Sequence, residues 1–124
     1  MKGVIYVALG GALGAVCRYG ISLIPCKTEF PVLTLVTNLL GALLIGFIVG
    51  IASGSKTISD NGVLLLKTGV CGGFTTFSTF SLEAWRLLEC GKAGLAAGYA
   101  VLSVIGCVVG VAAAGLALSK AFIR

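Results

Sequence analysis

The run Gly72-Gly73-Phe74-Thr75-Thr76-Phe77-Ser78-Thr79-Phe80-Ser81 sets aromatic rings and hydroxyls side by side in an otherwise apolar chain. Phe77 and Phe80 are three apart, so on a helix they share a face. Aromatic ring edges carry partial positive charge, so two edges turned toward a common path contact an anion without gripping it. Plain packing is the other reading of the pair. Ser78, Thr79 and Ser81 add hydroxyls to the same path. Asn38 stands within Leu35-Val36-Thr37-Asn38-Leu39-Leu40-Gly41. A side-chain amide among apolar residues either bonds to a neighbouring helix or lines a wet path. Arg18 lies near the end of the first apolar run, where it either snorkels to water or draws anions into an aqueous vestibule. Tyr99, Ser103 and Cys107 are spaced by four and make a weakly polar stripe on one helix face. The alternative for Ser103 is a bond to its own backbone.

The elements that position these residues are apolar. Hydrophobic residues make up 58% of the 124, charged residues 10%, and the mean hydropathy is +1.13. A soluble domain carries about 25% charged residues, so lipid is the expected solvent and the length allows one domain, residues 1–124. The net charge of +5 comes from scattered cations between apolar runs, with no basic cluster, which argues against nucleic acid. Histidine is absent, and no nucleophile–base pair or metal-like cysteine spacing occurs, so an enzyme is not expected. The five cysteines read as free thiols.

Four spans are predicted, over residues 3–24, 32–52, 62–90 and 93–119, the first being the opening helix of the mature protein rather than a cleaved leader. Pairs such as Gly10 and Gly14, Gly46 and Gly50, Gly94 and Gly98, and Gly106 and Gly110 suit close helix packing. The third stretch is anomalous. As one helix, 62–90 would run about 43 Å at 1.5 Å per residue, well beyond a hydrocarbon core of roughly 30 Å. Adjacent glycines followed by hydroxyl and β-branched residues continue a helix poorly, so a break is expected near 72–79. Open backbone at membrane depth is tolerated only inside protein or along a polar cavity, and the break is therefore the foremost functional candidate.

The cations are nearly balanced between the two sides. Lys2, Lys56, Lys67, Lys120 and Arg124 fall on the side of the termini, and Arg18, Lys27, Arg86 and Lys92 on the other. Orientation follows such a bias, and with so little of it the chain suits insertion both ways round. Two copies then pair head to tail, giving the inverted symmetry that larger transporters build from internal repeats.

These residues resemble the CrcB/Fluc family of fluoride ion channels. The likeness lies in Gly10-Gly-Ala-Leu-Gly-Ala-Val-Cys-Arg18-Tyr19, in Thr37 to Gly41 continuing to Gly46, and above all in Gly72 to Ser81. The resemblance implies an all-α integral membrane protein of four transmembrane helices, the third broken near its middle, working as an antiparallel dual-topology homodimer. It implies a passive, selective channel that exports toxic fluoride through two pores, multi-pass in the inner (plasma) membrane. Asn38 would be the pore amide, Phe77 and Phe80 the ring edges, Arg18 the vestibule arginine, and Tyr99 and Ser103 the polar track, with Ser78 and Thr79 lending hydroxyls. Main-chain carbonyls of Gly72 and Thr75 from both copies would hold a central structural sodium. Thr37 departs from the valine expected before Asn38, and Cys107 stands where a hydroxyl would close the track. Two rivals are a proton-coupled exporter of the small multidrug type, for which Glu83 is the only deep carboxylate, and an accessory subunit without transport.

Overall fold

A computed structural model describes residues 2–54 and 58–122; Lys56 and Arg124 of the charge tally lie outside them. The regular elements of the described chain are all helices. Helix α1 spans Lys2–Ser22 and α2 spans Val32–Gly54. Helix α3, residues 60–74, opens as Asp60–Val63, widens into a π-helix over Leu64–Cys71 and closes with Gly72–Phe74. Helix α4 is Phe77–Glu89 and α5 is Ala93–Phe122. Four of these segments, counting 60–89 as one, are long and apolar enough to cross a membrane.

The ends follow local chemistry. Pro25 stops continuation beyond α1, and Pro31 precedes α2 with its carbonyl accepting the Leu35 amide. Ser59 caps α3 by accepting the Gly62 amide, and Asp60 adds negative charge where the helix dipole favours it. Between α4 and α5, Gly91 takes a φ of 71°. The Gly91 and Lys92 amides return to Leu88 and Leu87 carbonyls, so the reversal needs only two residues. Lys92 then pairs with Glu29, tying this turn to the α1–α2 loop.

Glycines and two hydroxyls share the interior with a cluster of Phe80, Leu87, Ala96 and Tyr99, while many large apolar side chains face out. Gly10, Gly14, Thr37 and Ser103 are buried, while Val4, Leu9, Val16, Trp85 and Val108 are largely exposed. Helix α1 lies directly on α3: a Cβ on Gly10 would stand 2.9 Å from the Gly69 Cα, and one on Gly14 2.7 Å from the Phe74 amide nitrogen. Both obstacles are backbone and cannot yield. Helices α2 and α5 meet in the same manner at Gly46, where a Cβ would stand 3.0 Å from the Val111 Cα. Gly94 and Gly98 are different, with open space around them, so that third glycine pair packs nothing within the chain.

The break falls inside the expected stretch 72–79, though not at the glycines themselves. Gly72 is helical, with φ −63° and ψ −37°, and the chain leaves helical geometry only at Thr75 and Thr76. Gly73 is needed for contact with the Gly11 backbone, not for a bend.

Replacing Gly14 with Ala should therefore weaken the fold by about 1–3 kcal/mol, the usual result of overpacking. Gly20→Ala, with nothing within 4 Å, should not. Thermal unfolding of both variants in detergent checks this, and equal melting temperatures would remove the α1–α3 contact as a determinant.

Candidate functional site

In an α-helix each carbonyl accepts from the amide four residues on. At the break this pattern is redirected by three side chains. Thr75 (φ −78°, ψ 156°) and Thr76 (φ −150°, ψ 115°) are extended. The Thr76 amide donates to Asn38 Oδ1 at 2.8 Å, and Asn38 Nδ2 donates to the Thr76 carbonyl at 3.1 Å. Asn38 thus satisfies both backbone groups of one residue, as a neighbouring strand would. Thr76 Oγ1 caps α4 by accepting the Thr79 amide at 3.2 Å, and Arg18 Nε donates to the Gly73 carbonyl at 3.2 Å. The amides that would serve the Gly72 and Thr75 carbonyls, those of Thr76 and Thr79, are therefore engaged elsewhere.

Beside the break lies a cavity of about 610 Å³. Its lining brings together Asn38, Gly72, Thr75, Phe77, Phe80 and Ser103 from the sequence-predicted set, with Cys107 on the same wall. Phe77 is 76% exposed and Phe80 9%, with ring centroids 5.4 Å apart. Phe80 packs in turn on Tyr99, centroids 4.9 Å apart. A primary amide has two N–H donors, and the Thr76 carbonyl takes one from Asn38, leaving the other for a ligand. The Ser103 hydroxyl is buried and has no hydrogen-bond partner. A buried orphan of this kind calls for an explanation, and a polar species in the cavity supplies one.

The remaining predicted residues lie elsewhere. Thr79 and Arg18 line a separate cavity of about 60 Å³ with Ser22, Thr34, Thr37 and Thr76. Ser78 is exposed, its hydroxyl 3.4 Å from that of Thr76. Tyr99 is fully buried behind Phe80, and its hydroxyl donates to Glu83 Oε2 at 2.8 Å. Thr34 donates to Glu83 Oε1 at 2.9 Å. Tyr99 and Ser103 thus share a helix face, yet only Ser103 reaches the larger cavity.

Three residues with a part in the site were not singled out for it: Thr76, Thr34 and Glu83. Thr34 stands four before Asn38, so its place on the same face of α2 was readable from spacing. The role of Thr76 lies in its backbone and its cap. For cations, no cluster of three side-chain ligands occurs among the described residues. The Gly72 and Thr75 carbonyls are oxygen donors of the kind hard cations take, and no side chain approaches within 4 Å of the space a Gly72 Cβ would fill.

Residues 5–116 match the family model described as CrcB-like protein, Camphor Resistance (CrcB). A protein of Erythrobacter litoralis named Fluoride-specific ion channel FluC is 47% identical over 106 residues, 79% of this chain and 78% of the relative. One of Chloroflexus aurantiacus with the same name is 45% identical over 109 residues, 86% of each chain. One of Clostridium perfringens, also so named, is 47% identical over 106 residues, covering 83% of this chain and 82% of the relative. The chain belongs to the CrcB-like family.

Proposed function

We propose that the protein is a passive fluoride channel, formed by two copies in opposite orientation, that lets toxic fluoride leave the cytoplasm across the inner membrane. The observation that carries this reading is the cavity at the broken helix. There an uncommitted amide N–H, two phenyl rings and an orphaned hydroxyl converge in a chain of membrane-crossing helices. The relatives' shared name, Fluoride-specific ion channel, agrees with that chemistry. It also agrees with a chain that offers no catalytic constellation.

Fluoride is small and holds its water tightly, so a pore must replace that water with donors that do not retain the ion. Asn38 offers one N–H, oriented because its other groups are fastened to Thr76. Ring edges of Phe77 and Phe80 offer partial positive charge without a full cation's hold. Ser103 supplies a hydroxyl along the same wall. Arg18, half-buried near the end of α1, attracts anions toward the mouth, and Tyr99, Ser78 and Thr79 shape the approaches from α5 and α4.

A second copy completes the site. The cavity is open on one side, and outward apolar residues line much of the chain. The near-balance of cations supports insertion both ways round, and an antiparallel pair gives two equivalent paths. The same pairing sets the Gly72 and Thr75 carbonyls of both copies toward one another, four oxygens suited to a sodium ion. When bound, sodium would supply a fixed central charge and bridge the two breaks.

Purified protein in liposomes, with a potassium ionophore, should release fluoride rapidly and chloride little, as read by ion-selective electrodes. Phe80→Ile should slow fluoride release at least tenfold while the protein stays dimeric. Unchanged release would take the ring out of the mechanism. Replacing sodium with N-methyl-D-glucamine on both sides should lower fluoride conduction, and conduction indifferent to sodium would remove the cation from the assembly.

A further inference from the structure

One charged residue on the large cavity has no part in the account above. Lys67 lies on the cavity wall together with Thr68, Cys71, Gly72 and Thr75. From spacing alone it reads as one of the cations flanking the third span. It stands in the π-helix Leu64–Cys71, four residues before Cys71 and five before Gly72, on the wall beside the break.

Among the described residues no acid is paired with it. Glu29 is paired with Lys92, and Glu83 accepts from Thr34 and Tyr99. Asp60 opens α3, seven residues before Lys67, and Glu89 ends α4 beyond the break. Lys67 has no ion pair among the described residues. A lysine within a membrane span is costly and marks a wet path or a ligand more often than packing. Here the same wall carries Asn38, the two rings and the orphaned Ser103 hydroxyl.

We propose that Lys67 is the cation that concentrates the permeating anion in the cavity, gathering it at the wall from which Asn38, the rings and Ser103 then take it. This rests on the fluoride-channel reading and adds to it a specificity residue from the π-helical half of the broken span. A lysine with three rotatable donors attracts a small anion from a distance. The cavity's apolar walls keep that attraction from being dispersed into water. In the two-copy assembly each path receives its own such charge.

The test is fluoride efflux from proteoliposomes for the natural chain, Lys67→Gln, Lys67→Glu and Lys67→Arg. Each is measured at low ionic strength and with concentrated N-methyl-D-glucamine gluconate added, whose ions do not permeate, sodium being held the same in both. At low ionic strength Lys67→Gln should slow efflux three- to tenfold and Lys67→Glu further, while Lys67→Arg keeps most of it. In concentrated salt the gap between Lys67→Gln and the natural chain should narrow, because screening removes long-range attraction. Equal rates for Lys67→Gln and the natural chain at both strengths would overturn the proposal. So would a deficit that ignores ionic strength, or one traced to loss of the dimer by cross-linking, since either makes the lysine structural. A natural chain that passes no fluoride would overturn the channel reading instead.

Discussion

A backbone that leaves helical geometry at membrane depth must have every N–H and C=O accounted for, and this constraint organises the molecule. In hydrocarbon each unsatisfied group is worth several kcal/mol. Two extended residues, Thr75 and Thr76, raise the problem, and Asn38 resolves most of it by exchanging two hydrogen bonds with Thr76. The Arg18 bond to Gly73 and the Thr76 cap on α4 dispose of two further groups. The second Asn38 N–H is left over, and the carbonyls of Gly72 and Thr75 lose their usual helical partners.

The surrounding architecture keeps this arrangement rigid. Helix α1 can reach the Gly73 carbonyl because Gly10 and Gly14 let it lie against the α3 backbone. Helix α2 brings Asn38 to Thr76 and, one turn earlier, Thr34 to Glu83. Tyr99 packs its ring on Phe80 and its hydroxyl on the same carboxylate, so the position of Phe80 is set from behind by α5.

Much of the architecture was legible in the sequence because it depends on hydrophobic length and on residues that punctuate helices. Pro25, Pro31, Ser59 and Gly91 mark ends by mechanisms local to the chain. The anomaly of the third span was equally plain, since 29 residues exceed the membrane and the string from Gly72 to Ser81 is unlike the rest. The break fell within the expected 72–79, though not at the adjacent glycines, which serve close approach here. Asn38 was marked as needing a partner, yet the partner proved to be main chain, which leaves no signature in residue types. The same holds for Arg18 on Gly73.

The central claim is that the amide of Asn38 both holds the break and offers the donor that meets fluoride. Asn38→Asp keeps one half of the fastening and removes the donor, because a carboxylate still accepts from the Thr76 amide but has no N–H for the Thr76 carbonyl or the path. The deciding measurement is fluoride efflux from liposomes containing this variant, in protein shown by cross-linking to be dimeric. Efflux reduced to that of empty liposomes is the result predicted. Efflux equal to that of the natural chain would contradict the account, leaving Asn38 as a fastening of the broken helix and placing the ion's donors elsewhere.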